Sequence, residues 1–338
     1  IAHIRFIILP FVIIYMMHHV DKKKLTIFFN FIIIFLILDI FFQFHFKVDL
    51  FGYKLEELGN PRMDRISGFF GKELVAGTYL GLFGFLAFFL IRELRILNNI
   101  SVFTIYLLLL ISAIIITGDR VGILLILGIV IFNIIFNNFY RKYFIIILLS
   151  FSLIGYLLIN NVETLSERYF KKFDPIIETK IFGNSSYDGL INSPWISHYL
   201  VSWEMVKEKP LIGFGNKGFR KYCYQYEDKE KISNYQHKCT SHPHNTYFEI
   251  LVETGFVGLS LFIILNLFIF IKSLKLNRQI IYLVYSIIFT ILNPLRPSGS
   301  FFTTWNGGIF WFIFGILLYF IFKFSSIKYE KNINNNSS

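Results

Sequence analysis

The chain has 338 residues, of which 55% are hydrophobic, 42 are Phe and only 16% are charged, with a mean hydropathy of +0.57. Soluble domains are about a quarter charged, and here the apolar residues come in long runs, which excludes one large soluble core in favour of a membrane protein. The net charge of +11 would suit nucleic acid, but no basic–aromatic platform or docking motif is present; in a membrane chain Lys and Arg collect in cytoplasmic loops and fix orientation.

The chain opens on Ile1, almost directly in an apolar stretch, without the charged–apolar–small pattern of a cleavable signal. A fragment lacking earlier spans is the expectation. A run of about 17–25 apolar residues crosses a bilayer as a helix. Nine such segments are predicted, near 4–17, 25–44, 74–91, 100–117, 121–139, 143–159, 246–271, 279–293 and 305–322. The first is short, and the eighth ends at the breaker Asn293-Pro294. Positive clusters at Lys22-Lys23-Lys24, Arg92 with Arg95, Arg141-Lys142, Lys272 with Lys275 and Arg278, and Lys323 with Lys328 fall in alternate loops. Nine alternating spans put all five on one side, the cytoplasmic one.

The periplasmic face then carries 45–73, the corner Gly118-Asp119-Arg120, the long segment 160–245 and the 294–305 link. The predicted organisation is N-terminal transmembrane helices over 1–159, a periplasmic loop subdomain over 160–245 and C-terminal transmembrane helices over 246–327. A disordered cytoplasmic tail, rich in Asn and Ser, follows over 328–338. Inside the loop an amphipathic helix is predicted near 197–208, with Tyr199, Val201, Trp203 and Val206 as its apolar residues and Pro210 beyond its end.

Arg120 lies at the outer end of two apolar spans, where an ionisable residue is costly and usually faces a cavity or partner. Asp119 is the obvious neutralising neighbour, yet adjacent helical residues do not face each other. Arg120 is therefore a candidate phosphate ligand, against the plainer reading of a snorkelling interfacial Arg. Arg62, Arg65, Arg168, Lys217, Arg220 and Arg296 add further cations to that face. So many outside suggest an anionic ligand, although any single one also suits a solvated surface. Lys217 and Arg220 follow Pro210-Leu211-Ile212-Gly213-Phe214-Gly215-Asn216, whose glycines allow a tight turn but sit in no dinucleotide or Walker context.

Cys223 and Cys239 are the two cysteines, and an oxidising compartment favours a disulfide that closes a loop around 224–238 and braces the approach to His242. Zinc bound by these cysteines with His237, His242 and His244 is the alternative, but the spacing matches no standard zinc pattern. Ser241-His242-Pro243-His244-Asn245 then enters a span. Pro243 keeps the backbone extended before the helix, and His244 and Asn245 stand near a helix N-terminus. Glu249 and Glu253 are spaced i, i+4 on the face of Asn245. A neutral His there would take a proton from a hydroxyl near neutral pH; a capping or interfacial role is the plainer alternative.

These residues resemble the O-antigen ligase/polymerase family of bacterial membrane glycosyltransferases over most of the chain. The anchors are Arg65-Ile66-Ser67-Gly68-Phe69-Phe70, Gly118-Asp119-Arg120, Lys209-Pro210-Leu211-Ile212-Gly213-Phe214-Gly215, and His244-Asn245 followed after nine residues by Gly255 and then Gly258. The resemblance implies an all-α polytopic bundle related to the lipid-dependent, metal-independent GT-C-like glycosyltransferases, usually of about twelve spans. It implies an undecaprenyl-pyrophosphate-linked glycan donor, a lipid A core or other glycan acceptor, surrounding membrane lipids, and no cofactor, metal or nucleic acid. His244 would activate the acceptor hydroxyl, Arg120 would bind the pyrophosphate, and the anomeric configuration would invert, at the periplasmic face of a bacterial inner membrane. Arg65, Lys217, His242, Asn245 and Glu249 are the expected further substrate contacts. One departure stands out: Pro194-Trp195-Ile196-Ser197-His198-Tyr199 lacks the arginine usual in that region, so His198 or Arg220 is the expected substitute. The final His-Asn-to-Gly spacing favours a ligase over a polymerase. A flippase is the non-enzymatic alternative, disfavoured because the spans are almost purely apolar.

Overall fold

The computed structural model describes residues 4–55, 65–93, 100–138, 141–171, 194–227, 238–276, 278–294 and 296–336. Arg62 and His237 lie outside these residues. The helices are, in chain order, α1 Ile4–His19, α2 Lys22–Phe46, α3 Ala76–Glu93, α4 Ile100–Ile116, α5 Arg120–Phe136, α6 Arg141–Asn161, α7 Glu163–Ser166, α8 Pro194–Glu208, α9 Gly218–Tyr222, α10 Thr246–Ser273, α11 Arg278–Leu292 and α12 Thr304–Asn336. The described residues are all-α, with no strand among them, and several of their helices are apolar, as in a multi-pass membrane protein. A helix overlaps each of the nine predicted segments. Four stretches, Lys22–Phe46, Arg141–Asn161, Thr246–Ser273 and Thr304–Lys323, are long and apolar enough to cross a membrane; Phe6–His19, Ala76–Ile91, Thr104–Ile116 and Arg120–Phe136 are apolar but shorter.

The chain forms two compact units. One comprises Val20–Asp174 with Arg278–Leu292. Its helices meet where side chains are small. Gly77 and Gly81 lie one turn apart on α3 against Gly122 of α5, and a Cβ on Gly122 would stand 2.4 Å from the Gly77 carbonyl oxygen. Lipid gives no hydrophobic drive between helices, so such close approach and interhelical hydrogen bonds hold them. The Asn30 amide donates to the Ala87 carbonyl (3.2 Å), linking α2 to α3, and the buried Asn133 amide donates to Ser286 Oγ (2.6 Å), linking α5 to α11.

The other unit comprises Ile1–His19, Pro175–Asn277 and Asn293–Ser338. In it α1 runs against α12, with Gly315 so near Pro10 that an added Cβ would lie 2.9 Å from the Pro10 Cα. Outside the apolar helices a small core gathers Val201, Met205 and Val206 of α8 with Phe219, Cys223, Tyr226, Leu251 and Val252.

Several expectations change. The predicted helix near 197–208 is α8, but its buried residues are Ser197, His198, Val201, Ser202, Met205 and Val206, while Trp203 is exposed. Residues 199, 201 and 203 are two apart and cannot share a helical face. The segment 160–245 is divided between the units. Its first part stays with α4, because the Tyr169 hydroxyl donates to the Ile115 carbonyl (2.9 Å). The last helix continues to Asn336, past Lys328 where composition predicted disorder; no Gly or Pro interrupts it after Gly315.

Candidate functional site

Pro243 and Asn245 shape the entry to α10. His244 between them adopts φ +56°, the left-handed region that His, Asn and Asp visit more readily than bulky residues. Asn245 caps the helix: its side-chain oxygen accepts from the amides of Tyr247 (2.9 Å) and Phe248 (3.2 Å), and its amide nitrogen donates to the Pro294 carbonyl (2.7 Å). Residues 294–301 are stitched along this corner. The Ser298 amide donates to the His244 carbonyl (2.9 Å), and the Ser298 and Thr246 hydroxyls lie 3.0 Å apart. Glu249 is buried and accepts from the Ser300 hydroxyl and from the Phe301 amide (2.6 Å). Asn245 and Glu249, expected on substrate, thus have these groups engaged within the protein. Ser298 and Ser300 escaped sequence reasoning, since Pro-Ser-Gly-Ser signals only a turn.

Three imidazoles form a row. The rings of His242 and His244 are 4.2 Å apart, and those of His198 and His244 are 5.4 Å apart and nearly parallel. His198 is buried, with Nδ1 3.0 Å from the Lys238 carbonyl. A carbonyl only accepts, so Nδ1 carries a proton in this contact. His242 Nδ1 lies 2.8 Å from Ser241 Oγ. Among the described residues no side chain hydrogen-bonds to the His244 ring, so its nitrogens remain available to substrate. Burial first, then His242 and His198, pull the His244 pKa down from 6.5 to about 4. Burial likewise lowers that of His242. His244 is therefore a neutral base throughout the neutral range.

The neighbouring glycine motifs interlock. α10 breaks at Gly255, which has φ +65° and ψ −169°. Into that break fits the 210–215 turn. The Phe256 amide donates to the Pro210 carbonyl (2.7 Å) and the Val257 amide to that of Leu211 (3.2 Å); in return the amides of Phe214 and Gly215 donate to the carbonyls of Val252 (2.8 Å) and Glu253 (2.9 Å). A Cβ on Gly255 would stand 2.2 Å from the Leu211 carbonyl oxygen, and one on Gly213 2.5 Å from that of Val252. The Lys217 amide faces the Glu253 carboxylate. Lys217 and Arg220 themselves are exposed, and among the described residues no hydrogen bond or ion pair joins their side chains to the histidine row. Cys223 and Cys239 are disulfide-bonded, with Cα atoms 5.8 Å apart.

In the other unit arginines gather around Asp119. Asp119 caps α5 by accepting from the Val121 amide (3.1 Å), and it also accepts from the Thr78 amide (2.8 Å) and hydroxyl (2.7 Å). Its cation is Arg65, at 3.9 Å, rather than the adjacent Arg120. Arg120 instead donates to the Arg168 carbonyl, and Arg168 Nε donates to the Gly118 carbonyl (3.0 Å). Arg65 is seated by the Leu74 carbonyl, by the Ile66 amide on the Thr117 carbonyl (3.2 Å), and by the Gly68 amide on Gln43 Oε1 (2.8 Å). Burial raises the Tyr169 pKa; Asp119 raises it further, while Arg168, Arg120 and Arg65 act against that shift. Three guanidiniums and one carboxylate thus act on one phenol. Arg168, 48 residues from Arg120 in the chain, joins this cluster without any local motif to announce it.

Among the described residues no three His, Cys, Asp or Glu side chains are grouped to hold a metal ion. Residues 105–263, just under half of the chain, match the family model described as O-antigen ligase. The matched segment runs from α4 into α10 and agrees with the family read from the motifs. No curated protein matches the chain.

Proposed function

We propose that this O-antigen ligase family protein is a glycosyltransferase that moves a glycan from an undecaprenyl-pyrophosphate-linked donor to an acceptor hydroxyl, that of lipid A core in the favoured case. The reaction takes place at the periplasmic face of a bacterial inner membrane, crossed by nine spans here. The observation that carries this reading is the neutral His244, held at a left-handed corner beside two further imidazoles with its ring nitrogens available. His244 takes the proton of the acceptor hydroxyl as its oxygen bonds to the anomeric carbon. The anomeric carbon–oxygen bond to the pyrophosphate breaks, its electron pair leaves with the lipid pyrophosphate, and the configuration inverts. Arg120, supported by Arg65 and Arg168, stabilises the pyrophosphate charge, which is catalysis by fixed charge rather than by a new bond. His198 takes the region where the family's arginine is absent, as a buried neighbour of the base.

General-base removal costs about 10²–10⁴-fold in rate. Purified His244→Ala protein should insert normally and transfer glycan at least about 100-fold more slowly; wild-type transfer by that variant would overturn the mechanism. Transfer should persist in excess EDTA, and a requirement restored by magnesium would contradict the metal-free reaction. A deletion strain separates the two family activities: loss of attached polymer with lipid-linked polymer accumulating marks a ligase, whereas single-repeat caps mark a polymerase.

A further inference from the structure

The exposure of α10 changes abruptly at Gly255. Before it, Glu249, Ile250, Leu251, Val252 and Glu253 are all buried; after it, Phe256, Val257, Leu261 and Ile264 are exposed on a helix that continues to Lys272 and Ser273. At 1.5 Å per residue, 256–273 spans roughly 27 Å, close to the roughly 30 Å of a bilayer's hydrocarbon core. The helix beyond the kink is therefore long enough to cross alone, which would put the kink at one membrane surface. The 210–215 turn is hydrogen-bonded to the backbone at that level, through Phe256 and Val257. Its tip carries Leu211 and Ile212, which are 66% and 76% exposed although both are large and apolar. Such a pair at the end of a rigid turn is costly in water and favourable in acyl chains. Around it Lys209, Lys217, Arg220 and Lys221 are exposed cations, whereas Lys207 is ion-paired with Glu204 of α8 and the exposed Glu208 accepts from the Tyr226 hydroxyl (2.5 Å). Lys209 Nζ lies 4.7 Å from the centre of the Phe214 ring, which keeps that cation beside the tip.

We infer that the 210–215 turn is a membrane wedge: Leu211 and Ile212 enter the acyl chains beside α10, and the surrounding lysines and Arg220 engage anionic phospholipid headgroups. The wedge fixes the height of the His244 corner above the bilayer, because turn and corner share α10. A lipid surface is favoured over a protein partner because the tip is pinned to a helix that itself faces lipid from the next residue onward. This inference rests on α10 crossing the membrane and is independent of glycan transfer.

The test uses the full chain, with the Cys223–Cys239 disulfide intact, in nanodiscs of phosphatidylcholine with or without phosphatidylglycerol. A nitroxide is placed at Ile212→Cys, and in a second variant at Leu211→Cys. Ile264→Cys serves as the hydrocarbon reference and Tyr224→Cys as the aqueous one. Relative accessibility to oxygen and to a polar nickel chelate reads depth. Both tip labels should favour oxygen, as Ile264 does, and should move deeper when phosphatidylglycerol is present. That second shift should vanish when Lys209→Ser and Lys221→Ser are added. Tip labels as open to the chelate as Tyr224 would overturn the wedge, as would cross-linking of the tip to a second copy. Indifference to phosphatidylglycerol would overturn the headgroup contact. Each readout is obtained even from a protein inactive as a transferase.

Discussion

His244 combines a left-handed backbone with a ring that burial keeps unprotonated. Its pKa near 4 makes the base form dominant across neutral pH. Transfer should therefore decline only as pH falls toward about 4, and a pH–rate profile with its acid limb near 6.5 would contradict this assignment. The same shift has a stability consequence. Between pH 6.5 and about 4 the unfolded chain binds a proton that the folded chain does not, so stability is full above 6.5 and lost as pH falls through that window. Asn245→Ala should cost about 1 kcal/mol through the lost cap alone, seen as a lower melting temperature in detergent, while Asn245→Asp keeps the cap and loses the donor to the Pro294 carbonyl. The sequence made the His-Pro-His-Asn corner readable because proline and a capping residue act locally. It gave no sign that Asn245 and Glu249 also bind Pro294 and Ser300, because these partners lie 49 and 51 residues away. A buried polar group is satisfied by whatever the fold brings to it.

Among the elements, the glycine clasp between 210–215 and the α10 kink is the most exacting. Gly255→Ala would need an L-residue at φ +65° and would drive its Cβ to 2.2 Å from a backbone oxygen, so the clasp must open. Left-handed strain alone is worth about 1–2 kcal/mol, and the contact adds to it; limited proteolysis should cut the 210–215 turn in this variant. Gly308→Ala is the contrasting case. It lies inside α12 with nothing within 4 Å of the added Cβ, so it should stabilise by about 0.5–1 kcal/mol. Both glycine spacings were visible in the sequence as family motifs. That they bind each other was not, because backbone-to-backbone hydrogen bonds leave no side-chain signature. The predicted face of α8 failed for a different reason: residues two apart were read together, whereas the helix buries those three and four apart.

For the whole molecule, apolar runs sufficed to locate nine helices, since length and hydropathy are summed over many residues. They did not reveal the cation cluster, which depends on Arg65, Arg120 and Arg168 meeting around Asp119 from distant segments. Arg120→Ala should raise the donor KM at least tenfold with little change in acceptor KM, measured by varying each substrate separately; the reverse pattern would reassign the cluster to the acceptor. Reducing the disulfide should lower the melting temperature, since a cross-link of this loop length contributes about 3 kcal/mol. The stitching of 294–301 onto the His244 corner has a practical corollary for anyone cutting the gene. Pro294, Ser298, Ser300 and Phe301 hold that corner, yet all lie beyond residue 263, where the recognisable family segment stops. A fragment trimmed to the matched segment would keep the Gly118-Asp119-Arg120, 209–215 and His244-Asn245 motifs but lose the 65–70 motif and the scaffold that shapes the corner, so the boundary of the recognisable domain is not the boundary of a working one.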